Sequence, residues 1–283
     1  MKVVILAGGY GTRLSEETGI VPKPLVEIGG RPIIWHIMQI YSHYGLNDFV
    51  ICCGYKGEAI KDYFLNRLPH QGDLTIDLAS NRLEFHRSTT ERWKVTLADT
   101  GEKTMTGGRL KRVKDYVDGS TFCLTYGDGV SDIDVRALIK FHYEQGALGT
   151  VTAVQQPGRF GTINLSTDRP RAAGFREKGA TDGPVINGGF FVIEPEVLDM
   201  IEGDETVWEE GPLRSLAERD QLAVYRHGGF WQNMDTLRDK MLLQSMWDAG
   251  TPPWRIWNES GAGFRSESPI QSIRRTPVQL SAS

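Results

Sequence analysis

Cysteine is scarce in this chain: there are 3, and two of them, Cys52 and Cys53, are adjacent. That number and spacing make neither a disulfide framework nor a thiolate metal site, and read as buried, reduced thiols of a cytoplasmic protein. Long apolar runs are also missing. No segment approaches the ~18 apolar residues of a membrane span. The amino-terminal apolar run is too short for a secretion signal and passes straight into Gly8 and Gly9. Positive charge is not in excess: 32 Lys+Arg stand against 36 Asp+Glu, a net −4. That balance argues against a protein that wraps nucleic acid by neutralising its phosphates. The 6 histidines show no HExxH or other paired metal spacing. There is no Gly-x-Ser-x-Gly nucleophile elbow and no internal repeat.

What is present is ordinary globular material. Hydrophobic residues at 40% and charged ones at 24% of 283 residues allow one sizeable core and argue against disorder of the whole chain. Short apolar runs at residues 3–6, 49–53, 122–126 and 148–154 read as strands buried on both faces of a parallel sheet. Between them, helical spacing recurs at Ile33, Ile37, Ile40, Tyr41 and Tyr44 after Pro32, near residues 58–65, and at Val135, Leu138, Ile139 and His142. Alternation of this kind predicts an α/β sheet with right-handed crossovers. Two stretches depart from it. Residues 72–97 suggest a hairpin-like excursion built from runs at 74–78 and 93–97. Residues 162–165, 172–175 and 185–192 suggest a β-rich subregion added to the same sheet. Leu237, Met241, Leu242 and Met246 recur helically, and a Trp-rich stretch follows (Trp247, Trp254, Trp257), which reads first as packing and secondarily as a sugar platform or subunit contact. Residues 259–283, rich in Gly, Ser, Arg and Pro, read as a flexible tail.

The strongest local signal is the loop after the first strand, Leu6-Ala7-Gly8-Gly9-Tyr10-Gly11-Thr12-Arg13, followed by Pro22-Lys23-Pro24. Glycines here let backbone N–H groups close on phosphate oxygens. The loop is not a P-loop, lacking a terminal Gly-Lys-Ser/Thr, and it lacks the six-position dinucleotide fingerprint. Arg13 and Lys23 offer two positive charges to a triphosphate, and the prolines flanking Lys23 restrict its backbone. Asp128, between Gly127 and Gly129 at a strand's carboxyl end, is either a turn residue or a Mg²⁺ ligand. Asp235 is either a helix cap or the second carboxylate of that site. Thr104, Thr106, Gly107 and Arg109 precede or open an amphipathic helix whose apolar face holds Leu110, Val113 and Val117, with Lys111, Arg112 and Lys114 on its solvated face. A cation at a helix start is disfavoured unless an anion is near, which sets Arg109 apart from those solvated cations.

These segments resemble the sugar-phosphate nucleotidylyltransferases. The likeness rests on Gly-Gly-x-Gly-Thr-Arg with Pro-Lys-Pro, and continues through Val26–Ile33, Cys52–Gly57, Met105–Arg112, Thr125–Val130 and Gly188–Phe191. It implies a Rossmann-like nucleotidyltransferase fold with a mixed, mainly parallel central sheet over residues 1–258. Residues 1–155 would form the nucleotide-binding part and 156–258 the sugar-phosphate side. The later segments resemble the branch that joins CTP to α-D-glucose 1-phosphate, releasing pyrophosphate and making CDP-glucose for bacterial surface polysaccharides. The resemblance implies Mg²⁺ on Asp128 and Asp235, catalytic roles for Arg13, Lys23 and Asp128, and a cytoplasmic homo-oligomer. It places Leu6, Ala7, Gly8, Gly9, Tyr10, Gly11, Thr12, Thr104, Thr106, Gly107, Arg109 and Gly127 against the nucleotide. Gly161, Glu177, Lys178, Asn187 and Gly188 would hold the sugar phosphate. Because the nucleophile is already a phosphate oxygen, no general base is required. Two departures stand out: Gly179 follows Glu177-Lys178 where the family usually has Pro, and Val21 stands where relatives often carry Lys. Transfer from UTP, dTTP or GTP is the same-class alternative, and a non-catalytic nucleotide-sugar sensor the alternative from another class.

Overall fold

The computed structural model describes residues 1–19, 21–67, 73–80, 82–86, 91–155, 162–165, 172–176 and 184–257. Val3–Leu6 (β1) is buried throughout because it is flanked on both sides, by Asp48–Cys53 (β2) and by Phe122–Tyr126 (β4), each parallel to it. Alternate side chains serve opposite faces. Val3 and Ile5 enter a core with Ile33, Ile37 and Tyr41 of the helix Ile33–His43 (α1), while Val4 and Leu6 enter a second core with Leu110, Val113 and Trp208. Lys94–Asp99 (β3), Gly149–Gln155 (β5), Val185–Ile193 (β6) and Leu222–His227 (β7) complete a 7-stranded sheet in the order β7-β5-β6-β4-β1-β2-β3. Only β6 runs against its neighbours, antiparallel to both β5 and β4. This is the mixed, mainly parallel α/β sheet that the alternation of segments predicts.

Helices Gly57–Arg67 (α2), Thr106–Arg112 (α3), Val135–Gln145 (α4), Pro212–Glu218 (α5) and Leu237–Asp248 (α6) connect or follow the strands. Helix α4 shows how locally its limits are encoded. Asp134 Oδ1 accepts the Ala137 N–H at 2.9 Å, Val135, Leu138, Ile139 and His142 turn inward, and Gly146 at φ 64° ends it in the left-handed region.

Two expectations need correction. The run at 93–97 does not belong to the hairpin excursion: there, among the described residues, Asp73–Asp77 pairs with Arg82–His86, whereas β3 lies parallel to β2 as an edge strand. Val95 and Leu97 on that strand find apolar cover in the main core. The β-rich subregion is likewise divided. Val185–Ile193 is an inner strand of the sheet, with Phe190–Ile193 buried, while Thr162–Leu165 and Ala172–Arg176 form a separate two-stranded ribbon. The helical recurrence from Leu237 is present as α6, on which Leu243 is buried and Met246 packs against the core while Leu237, Met241 and Leu242 are 40%, 64% and 41% exposed. Residues 259–283 lie outside the described residues.

The Trp-rich stretch is packing. Trp35, Trp247, Trp254 and Trp257 surround the buried His36 ring at centroid distances of 5.1, 5.0, 6.1 and 6.1 Å. The Trp254 indole N–H can only donate, so His36 Nδ1 accepts it at 3.3 Å and the proton sits on Nε2, which donates to the Ile28 carbonyl at 2.9 Å. Burial among these rings brings the His36 pKa down to about 4.

Candidate active site

Strands β1 and β4 end side by side, with Leu6 paired to Tyr126 and the Gly127 N–H donating to the Leu6 carbonyl at 2.9 Å. The chain leaves both strands at the carboxyl edge of the sheet, where open α/β sheets bind ligands. The loop after β1 and the Gly127-Asp128 turn after β4 therefore face a common cleft of about 400 Å³. Every residue expected against the nucleotide lines this cleft except Gly107. The Gly107 N–H donates to the Thr206 carbonyl at 2.9 Å, and a Cβ there would stand 2.7 Å from that oxygen, so this glycine admits a neighbouring loop rather than a ligand.

Arg109 is not at the helix start. It is the fourth residue of α3 and only 4% exposed. Its guanidinium lies across the glycine loop, donating to the carbonyls of Gly8 at 2.9 Å, Gly101 at 2.6 Å and Glu102 at 3.1 Å, and to Thr100 Oγ1 at 2.9 Å. A Cβ on Gly8 or Gly54 would fall 2.3 or 2.1 Å from its Nη1, which explains both glycines by close approach. Burial lowers the Arg109 pKa from the ordinary arginine value, yet a guanidinium stays charged at any physiological pH. Its donors engage the protein, so Arg109 shapes the loop.

The charged centre stands at the edge of the cleft. Lys23, in a 3₁₀ turn between Pro22 and Val26, places Nζ 2.7 Å from Asp128 Oδ2 and 2.5 Å from Asp235 Oδ1. Asp235 Oδ2 takes Arg13 Nη1 at 2.8 Å and Asn233 Nδ2 at 2.6 Å. Burial works against the Lys23 ammonium, but Asp128 and Asp235 outweigh it and raise the pKa above the usual lysine value. The two aspartates meet because Gly129–Ser131 and Trp231–Asn233 pair as an antiparallel ribbon, closed by the Met234 N–H on the Asp128 carbonyl at 2.8 Å. Asp235 is not the cap of α6: Thr236 is, in a reciprocal capping box with Asp239. With that role taken, the Asp235 carboxylate is turned to Lys23 and Arg13.

Of the residues expected on the sugar side, Asn187 and Gly188 are not in the lining of this cleft: Asn187 Nδ2 donates to Tyr126 Oη at 3.3 Å, and the Gly188 carbonyl accepts Trp231 Nε1 at 2.7 Å. Gly161, Glu177 and Lys178 lie outside the described residues. Two polar residues not singled out by the sequence meet at the cleft: Tyr126 in its lining and Glu209 behind it. Tyr126 donates its phenol proton to Glu209, and Thr106 Oγ1 donates to the other oxygen of that carboxylate at 3.0 Å. Tyr126 could have been found from its place beside Gly127-Asp128; nothing in the order Trp208-Glu209-Glu210 marks Glu209. Among the described residues no cluster of three or more His, Cys, Asp or Glu side chains stands ready for a metal. The two converging carboxylates are the available hard-oxygen donors, and the ammonium between them shows that the point they share suits a cation.

A profile of the nucleotidyl transferase family matches residues 2–236, and the chain belongs to that family. The chain is 55% identical over 258 residues to the glucose-1-phosphate cytidylyltransferase of Salmonella typhi, covering 91% of this chain and 100% of that protein. A probable glucose-1-phosphate cytidylyltransferase of Bacillus subtilis (strain 168) is 46% identical with the same coverage. Among solved structures, HddC from Yersinia pseudotuberculosis shares the fold at a TM-score of 0.63 and 21% identity, covering 87% of this chain and 99% of that one.

Proposed function

We propose that this chain transfers the cytidylyl group of CTP to α-D-glucose 1-phosphate, giving CDP-glucose and pyrophosphate. The observation that carries the chemistry is the centre formed by Lys23, Arg13, Asp128 and Asp235 at the edge of a cleft floored by the glycine loop. The likeness to the Salmonella typhi enzyme along nearly the whole chain supports the choice of substrates. In the reaction a sugar-phosphate oxygen bonds to the α-phosphorus as the bond to the β-phosphate breaks in line. Both reactants are anions, so catalysis is chiefly positioning and charge neutralisation.

Backbone N–H groups of residues 8–12 would cradle the triphosphate, and Lys23 and Arg13 would offset the charge that grows on the departing pyrophosphate. Thr104 and Thr106 would contact the nucleotide, while Arg109 keeps the loop in shape. Gly161, Glu177, Lys178, Asn187 and Gly188 would hold the sugar phosphate. Asp128 and Asp235 would hold a Mg²⁺ ion, since two carboxylates plus phosphate oxygens and water satisfy its coordination. Bound there, Mg²⁺ supplies neutralising charge to the phosphates.

Among the described residues no helix is long and apolar enough to cross a membrane. The same proposal includes a cytoplasmic setting and self-association, the latter checked by light scattering of the purified protein. The decisive experiment is pyrophosphate release with CTP, UTP, dTTP and GTP against glucose, mannose and N-acetylglucosamine 1-phosphates. Selective turnover of CTP with glucose 1-phosphate is expected. Preference for another pair would move the substrate assignment, and no release with any pair would favour the sensor.

A further inference from the structure

Behind the cleft wall one carboxylate joins two elements that face the substrates. Thr106 opens α3 and Tyr126 closes β4, and both line the cleft, whereas Glu209 stands outside its lining. Glu209 Oε2 accepts the Thr106 hydroxyl at 3.0 Å and Oε1 accepts the Tyr126 phenol. The backbone that presents Glu209 is firmly held. Trp208 is fully buried, its N–H donates to Thr106 Oγ1 at 2.9 Å, and its ring meets Phe191 edge-on at 6.0 Å. The preceding residues sit directly on the start of α3, where the N–H groups of Gly107 and Gly108 donate to the Thr206 carbonyl at 2.9 and 3.2 Å. A Cβ on Gly108 would stand 2.5 Å from the Asp204 carbonyl oxygen, so no side chain fits between.

We propose that Glu209 is a positioning residue for the transfer reaction, acting on both substrates through Thr106 and Tyr126. With both hydroxyl protons engaged by the carboxylate, the two oxygens can meet any further group only as acceptors. Asn187, expected on the sugar side, already donates to Tyr126 Oη at 3.3 Å. One side chain thus sets the hydrogen-bond polarity of a nucleotide-side threonine and of a tyrosine that reaches the sugar side. A glutamine in its place keeps the shape but offers one acceptor oxygen and one NH₂. One of the two hydroxyls must then turn its proton elsewhere and reverse its polarity.

The inference rests on the proposed transfer reaction, and its test is steady-state kinetics with CTP calorimetry on Glu209→Gln, Tyr126→Phe and the double variant. Removing binding that substrate and transition state share raises KM and leaves kcat. For Glu209→Gln we expect KM for CTP and for glucose 1-phosphate each to rise about tenfold, kcat to stay within about threefold, and the CTP Kd to rise with KM. The double variant should lose less than the product of the two single effects, because the Glu209–Tyr126 hydrogen bond is common to both. Wild-type KM and Kd in Glu209→Gln, or single effects that multiply in the double variant, would overturn the proposal. Should Glu209→Gln not fold, Glu209→Asp, one methylene too short to reach both hydroxyls, carries the same expectation. Failure of the transfer reaction itself would appear in the wild-type protein as no pyrophosphate release, whereas failure of the Glu209 role alone would appear only in the variants.

Discussion

Replacing Lys23 by methionine separates the proposed catalytic role of the charged centre from its structural role. In the folded protein Lys23 balances one of two aspartate charges and Arg13 the other, but the Arg13 side chain is 73% exposed against 12% for Lys23. Solvent weakens the Arg13 contact, so loss of Lys23 leaves the aspartates poorly neutralised. Breaking a fully buried ion pair costs about 3–5 kcal/mol. Here the Asp128 side chain is 30% exposed, which reduces the expected loss of stability to about 1–3 kcal/mol. A domain holding roughly 5 kcal/mol or more would then keep all but a few per cent of its molecules folded at 25 °C. Turnover should fall far more. A preorganised group facing charge that develops in the transition state is worth about 3–4 kcal/mol, or about 10²–10³ in kcat. The measurement is pyrophosphate release by Lys23→Met beside its urea unfolding curve. Turnover within about threefold of wild type, or a loss no larger than the unfolded fraction from the urea curve, would refute the argument.

The same geometry makes a prediction about cations: without the competing ammonium, Lys23→Met should bind Mn²⁺ more tightly than wild type in the absence of nucleotide, while Asp235→Asn should bind it less tightly, both by calorimetry. Gly8→Ala would drive a methyl group to within 2.3 Å of Arg109 Nη1. Because that guanidinium is held by several acceptors, displacing it should cost about 1–3 kcal/mol in urea unfolding and raise KM for CTP; an unperturbed variant would show that the clamp is dispensable. His36 sets an acid limit. The unfolded ring takes up a proton near pH 6.5 and the folded one only at about 4, so this contribution is complete above pH 6.5 and is lost as pH falls toward 4. The loss should total about 3 kcal/mol at about 1.36 kcal/mol per pKa unit. His36→Phe should lack this part of the slope, and identical pH curves for the two proteins would contradict it.

What could be read in advance divides along a physical line. That the glycine loop, Arg13 and Lys23 line one cleft was legible because dihedral freedom and charge are local properties of short segments. Strand β1 was visible for the same reason: an apolar run flanked by parallel neighbours has no exposed face to encode. The roles of Asp235 and Arg109 depended instead on contacts between segments far apart in the chain. Asp235 has the look of a helix cap until Thr236 is seen to fill that position. Arg109 has the look of a ligand residue until the carbonyls of Gly8, Gly101 and Glu102 are found on its guanidinium. Glu209 carried no signal, since a carboxylate becomes informative only through the hydroxyls it faces. On α6 the periodicity marks the helix but not its inner face: Leu237, Met241 and Leu242 are exposed, while Leu243 is buried and Met246 packs against the core. Periodicity reports that an apolar stripe exists but not which neighbour covers it. A tertiary partner decides whether a charged side chain serves the ligand or the scaffold, and here that partner divides two arginines of one cleft: Arg13 extends toward solvent with one carboxylate, while Arg109 is enclosed by carbonyls.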